Sequence, residues 1–222
     1  MDISVFEVVG PLMIGPSSSH TAGAAKLARV ASVIVDYPIK QVSFGLHGSF
    51  AKTYRGHGTD MALVAGVLGI KEDDERLKDA FYIARERNLI YDFYETELEN
   101  VHQNSVKITF TLMNDRVREI VGSSIGGGQI LIRKVDGFDT DIRLNTSTLV
   151  ICQEDRVGII NEISKVLTDY GINIGLMTVK RKEKGTQACC IIETDTILSS
   201  YVVDSLRKIE HIISVQAINA VE

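Results

Sequence analysis

Thr148-Leu-Val-Ile-Cys152, Asp155-Arg-Val-Gly158-Ile-Ile and Tyr170-Gly171-Ile172-Asn173-Ile174 are the stretches whose reading decides the fold of this chain. The first is apolar and β-branched, and reads as a strand. Between the second and the third, Ile159, Ile160, Ile163, Val166 and Leu167 recur at helical spacing. Ile172 to Val179 then alternates toward a second strand, and Lys182-Glu-Lys-Gly185 supplies a polar hairpin. Gln187 to Thr194 reads as a third strand, Ser199 to Ile209 as a second helix and Ile213 to Ala220 as a fourth strand. The order is βαββαβ. Asp155 is placed to cap the first helix, Gly158 to let the backbone approach a neighbour closely, and Gly171 to end the helix.

The D-R-V-G turn and the G-I-N-I run together resemble an ACT domain, a ferredoxin-like βαββαβ fold. That resemblance implies a small ligand, often an amino acid, held between the loop after the first strand and the sheet of a neighbouring ACT domain. It places Asp155, Gly158, Asn161 and Asn173 at the effector site. A module that only paired two copies would need Asp155 and Gly158 as well, as cap and turn. Both readings predict self-association through this module.

Outward from this module, the length of 222 residues suits two domains better than one, and the regular pattern divides them as residues 1–146 and 147–222. The fold class expected is α+β, with a mixed α/β domain first. At 45% hydrophobic and 24% charged residues the composition is that of a globular chain rather than a disordered one. Net charge is −5 with no basic stripe, which argues against nucleic acid as a partner. Apolar stretches such as Val30 to Val35 and Met61 to Leu68 fall short of the ~20 residues that cross a bilayer. The acidic start, Met1-Asp2-Ile3-Ser4, does not read as a leader, so a cytoplasmic location without membrane attachment is expected. The three cysteines, Cys152, Cys189 and Cys190, lack metal-ligand spacing and read as buried structural thiols, with no metal expected in this chain.

The unusual chemistry lies in the first domain. Pro16-Ser17-Ser18-Ser19-His20-Thr21-Ala22-Gly23 runs into a helix, Ala24 to Asp36, that is apolar almost all round. One hydroxyl suffices for a helix cap. Ser17, Ser18, Ser19 and Thr21 with His20 exceed that need, and beside the free N–H groups of a first turn they suit a carboxylate. A strand, Val42 to Leu46, leads into His47-Gly48-Ser49-Phe50-Ala51-Lys52-Thr53 and then Gly56-His57-Gly58-Thr59-Asp60, ahead of the apolar helix Met61 to Leu68. A histidine between two glycines at a helix start is exposed, as a general base must be. Asp73 to Arg87 reads as one amphipathic scaffold helix. Strands follow at Ile90 to Tyr94, Val106 to Leu112, Arg116 to Val121 and Gln129 to Val135, and a Gly126-Gly127-Gly128 turn joins the last two. That turn lacks the spacing of a phosphate loop, although its backbone is open to a substrate. His102 and His211 read as surface residues, and nothing in the sequence assigns a role to His47.

Taken in order, G-P-S-S-S-H-T-A-G, G-S-F-A-K-T-Y-R-G-H-G-T-D and S-I-G-G-G resemble the β chain of the two-subunit iron–sulfur L-serine dehydratases. The resemblance implies an ammonia-lyase that converts L-serine to pyruvate and ammonia, with a [4Fe–4S] cluster ligated by cysteines of a partner α chain. In that reading an open iron position takes the substrate hydroxyl and a histidine of this chain takes the α-proton. His57 is the base and His20 its rival, Ser17, Ser18, Ser19 and Thr21 hold the carboxylate, and Gly126 and Gly127 offer backbone to the substrate. A free-standing amino-acid sensor would account for the anion site and the ACT pattern equally well. A pyridoxal-phosphate lyase fits poorly, since no phosphate-cradling glycine loop is present.

Overall fold

The computed structural model describes residues 13–219, in two compact units that divide after Gly137. In the first, β1 (Ile39–Gly48) lies parallel to β2 (Ile90–Glu95) and antiparallel to β3 (Asn104–Leu112). β4 (Val117–Gly126) and β5 (Gln129–Val135) continue the sheet in antiparallel register, giving the order β2-β1-β3-β4-β5. Alternation along the strands puts Val42, Phe44, Leu46, Ile108, Phe110, Ile120 and Ile132 in the core.

Two helices form the heart of this core. α1 (Gly23–Val35) is rich in alanine, and α3 (Thr59–Val67), apolar after its first two residues, is buried from Ala62 to Gly66. Small residues let the two backbones approach closely. A Cβ at Gly66 would collide with the Ala25 carbonyl of α1, so this position has room only for hydrogen. α1 also rests on β4, where Leu27 packs against Gly122. It ends at Asp36, whose left-handed backbone (φ 45°) and the following Pro38 turn the chain into β1.

The expected helix from Asp73 to Arg87 is two elements: a 3₁₀ turn, Glu75–Asp79, and α4 (Ala80–Glu86). Asp74 explains the break. Its carboxylate accepts from the Arg76 backbone N–H at 2.9 Å and from the Arg76 guanidinium, which tightens the first turn. α2 (Ser49–Thr53) is one short turn between β1 and α3.

The second unit opens with β6 (Phe138–Ile142), a strand the sequence did not suggest. β7 (Ser147–Glu154), α5 (Ile159–Asp169), β8 (Ile174–Arg181), β9 (Gln187–Thr194), α6 (Ser200–Arg207) and β10 (Ile212–Ile218) follow in the βαββαβ order. Their sheet is antiparallel with strand order β10-β7-β9-β8. Leu149, Ile151 and Ile192 of the sheet pack on Ile163 and Leu167 of α5 and on Val202 and Leu206 of α6. All three cysteines are buried in this unit, and burial pushes the Cys190 thiol up to about 12. No helix among the described residues is long and apolar enough to cross a membrane.

Candidate functional site

The serine-rich segment forms one wide π turn, Ser18–Ala22, that runs directly into α1. Ser17 is its cap, the hydroxyl accepting from the His20 backbone N–H at 3.1 Å. The N–H groups of Thr21 and Ala22 both reach the Ser17 carbonyl, at 3.0 and 3.3 Å. The N–H groups of Ser18 and Ser19 come before this ladder begins.

His20 sits at the centre of the site. Its Nδ1 lies 3.2 Å from Ser19 Oγ and its Nε2 lies 2.9 Å from Ser49 Oγ, and its ring meets the edge of Phe50 at 5.3 Å. The His57 ring is 4.9 Å away, tilted by 43°. Burial, followed by the charge on His57, pushes the His20 imidazole below its ordinary range.

The second histidine is delivered by the end of β1. Gly48 has φ 58°, and a Cβ there would lie 2.6 Å from the Gln103 carbonyl, so only glycine makes this turn. α2 follows, its Ser49 N–H donating to that same Gln103 carbonyl at 2.8 Å. The His57 N–H closes on the Thr53 carbonyl at 3.1 Å, and the Thr21 hydroxyl donates to the His57 carbonyl at 2.9 Å. Thr21 is 2% exposed, so its hydroxyl is spent on ordering the His57 loop. An open cleft of about 660 Å³ runs beside it, lined by Lys52, Tyr54, Arg55, His57 and Glu95 among others.

The structure therefore brings Ser17, Ser18, Ser19, His20, Thr21 and His57 into one neighbourhood. Three of the four hydroxyls are engaged internally: Ser17 caps, Ser19 meets His20 and Thr21 tethers the His57 loop. Gly126 and Gly127 lie in the β4–β5 turn with positive φ. On that strand the residue in contact with the head of α1 is Ser124, which faces Gly23. Ser49 stands in the G-S-F-A-K-T run, and its contact with His20 spans 29 positions. No local pattern announces such a pairing.

The proposed effector residues separate into two groups. Asp155 does not cap α5. Gly158 occupies the cap position with φ 94°, and the Asp155 carboxylate instead accepts from Gly185 N–H at 2.9 Å and Arg181 Nη1 at 3.2 Å. A Cβ at Gly158 would meet nothing within 4 Å, so glycine serves the backbone angle there rather than a close approach within this chain. Asn173 donates to Asp195 at 3.2 Å, and Asn161 is exposed on α5. Asp155 sits beside the last residue of β8 while Asn173 precedes the first. At roughly 3.3 Å per residue the two lie some 25 Å apart, too far for one small molecule to touch both in a single copy. A cleft of about 740 Å³ does open at the Asp155 end, between Arg156, Lys182, Glu183 and Gln187.

Comparison with known proteins agrees with this architecture. Residues 4–86 match the serine dehydratase beta chain family and residues 146–211 the ACT domain family. The chain is 42% identical to the L-serine dehydratase beta chain of Peptoniphilus asaccharolyticus, covering 94% of this chain and 95% of that one. It is 40% identical to a probable L-serine dehydratase beta chain of Bacillus subtilis, with 97% of each covered. A D-3-phosphoglycerate dehydrogenase of Bacillus subtilis is 27% identical over 88% of this chain, which spans 37% of that enzyme. With both family models matched and this similarity over nearly all its length, the chain belongs to the L-serine dehydratase beta-chain family and carries an ACT domain.

Proposed function

We propose that this chain is the beta subunit of an iron–sulfur-dependent L-serine ammonia-lyase of the cytoplasm, forming pyruvate and ammonia with a partner alpha chain. The observation that carries the reading is the pair of imidazoles, 4.9 Å apart, at the head of a serine-rich helix start in a chain of this family.

The cysteines of this chain do not suit a [4Fe–4S] cluster. All three are buried, and the high pKa of Cys190 disfavours the thiolate that iron requires. Among the described residues no group of three or more His, Cys, Asp or Glu side chains is arranged to hold a metal. The cluster is assigned to the alpha chain, and the share of this chain is binding and proton transfer.

The substrate carboxylate is held at the start of the Ser18–Ala22 turn, by the N–H groups of Ser18 and Ser19 and the Ser18 hydroxyl, where the helix dipole also favours negative charge. His57, on the cleft, takes the α-proton. His20, held neutral by burial, puts no standing positive charge against the proton that arrives on His57. Gly126 and Gly127 border the substrate from the β4–β5 turn. The ACT domain pairs copies of the chain, and Asp155, Gly158, Asn161 and Asn173 contribute to an amino-acid site completed by a second copy.

Anaerobic copurification with a cysteine-rich partner, followed by iron and sulfide assay and by serine turnover, tests the reading. Replacing His57 by Ala is expected to lower turnover by ~100-fold or more, the usual contribution of a positioned acid–base group. A near-normal rate in that variant removes His57 as the base. Full-speed deamination by this chain alone, free of iron, overturns the two-chain reading.

A further inference from the structure

His47 stands half-buried at the end of β1, one residue before the Gly48 turn. Its Nδ1 accepts from the Leu98 backbone N–H at 3.1 Å, a contact that spans 51 positions. A backbone N–H only donates, so the roles in this bond are fixed. Nδ1 is the bare nitrogen and the ring proton is on Nε2. A doubly protonated ring has no acceptor nitrogen and cannot make the bond.

Leu98 belongs to the segment 96–103, which joins β2 to β3 past the end of β1. Backbone bonds tie the two ends of this segment: the Thr96 N–H donates to the Leu46 carbonyl at 2.9 Å, and the Gln103 carbonyl accepts from the Ser49 N–H at 2.8 Å. Between those ends His47 ties it by a side chain. The segment begins beside Glu95, which lines the His57 cleft, and finishes at the carbonyl that holds the first residue of α2. The junction has no slack, since a Cβ at Gly48 would lie 2.6 Å from both the Gln103 carbonyl and its Oε1. We propose that His47 is a positioning residue: its Nδ1 holds the 96–103 segment against the end of β1, and through Gln103 this keeps α2 and the His57 loop in place. The hold on Leu98 is a property of this chain alone. Its value in turnover rests on the dehydratase reading above.

The nitrogen in use selects the variants. Asn carries its amide oxygen on Cγ, as histidine carries Nδ1, so His47→Asn keeps an acceptor in the same place. Gln carries its oxygen further out, where Nε2 lies, so His47→Gln leaves the Leu98 N–H without an acceptor. Amide hydrogen exchange in the full chain reads the bond directly. The Leu98 amide is expected to exchange about tenfold faster in His47→Ala and His47→Gln than in the native chain, the worth of one hydrogen bond, and at a near-native rate in His47→Asn. Equal rates throughout the series overturn the proposal, as does a loss of protection in His47→Asn that matches His47→Gln. Unchanged exchange at Val42 and Phe44, in the core of β1, checks that the fold is kept. Both amide side chains are near the imidazole in size, so that pair decides even where His47→Ala loses its fold.

A second measurement uses the two-chain enzyme. His47→Gln is expected to lower kcat about fivefold, with KM changed by less than about twofold and with recovery in His47→Asn, because the carboxylate seat at Ser18 and Ser19 lies on a different element from the His57 loop. A faster Leu98 amide with unchanged kcat overturns the positioning role in turnover, and so does a change confined to KM. If the unsubstituted two-chain preparation has no activity on serine, the dehydratase reading fails, and the exchange rate at Leu98 still decides for or against the hold of His47.

Discussion

His20 is half-buried between hydroxyls, a phenyl ring and a second imidazole, and this environment favours its neutral form. The consequence for stability has a definite sign. Below the ordinary value of 6.5 the unfolded chain takes up the His20 proton before the folded chain does. The contribution of the folded environment is therefore fully present above pH 6.5 and is lost as the pH falls through the lowered value. Urea midpoints compared at neutral and mildly acidic pH are expected to fall on acidification, and His20→Asn is expected to flatten that fall. An equal pH slope in the variant would show that other groups carry it. The sequence pointed to His20 and His57 because both stand in short runs of hydroxyl and glycine residues. It gave no sign that Ser49 closes the ring of contacts, since that bond depends on where β1 ends.

α1 and α3 cross so closely that Gly66 faces the backbone of the partner helix. Replacing Gly66 by Ala forces the two helices apart at Ala25 and is expected to cost about 1–3 kcal/mol, the usual range for overpacking a core. Differential scanning calorimetry measures it, and an unchanged midpoint would mean that the helices shift without penalty. Elements with a strong local pattern were legible from the residues alone: α5 shows its apolar stripe, and β9 runs from Gln187 to Thr194, the bounds read for the third strand. Two failed for local reasons. The Asp74–Arg76 bonds tighten a turn that the apolar spacing presents as the start of a helix. β6 does alternate, with Phe138, Thr140 and Ile142 buried and Asp139 and Asp141 exposed, but at 5 residues the pattern is too short to stand out in the sequence.

The candidate site lies within one unit and the ACT domain in the other. A ligand that binds only the folded first unit raises the stability of that unit by mass action. Serine is therefore expected to raise the melting transition of the first unit, with His57→Ala as the reference that keeps the helix start intact. Calorimetry with and without serine reads this, and the absence of any shift at saturating serine would argue against a substrate site in this chain. The two-module plan and its order were legible from motifs. The assembly of the site was not, because His20 with Ser49, Thr21 with His57 and Ser49 with Gln103 are partners far apart along the chain. Those partnerships also set a schedule during synthesis. A nascent chain that has left the ribosome as far as Asp60 already contains both histidines, yet Ser49 lacks the Gln103 carbonyl that anchors it and β1 lacks β3. The frame that holds the two imidazoles in register is therefore complete only once β3 has emerged.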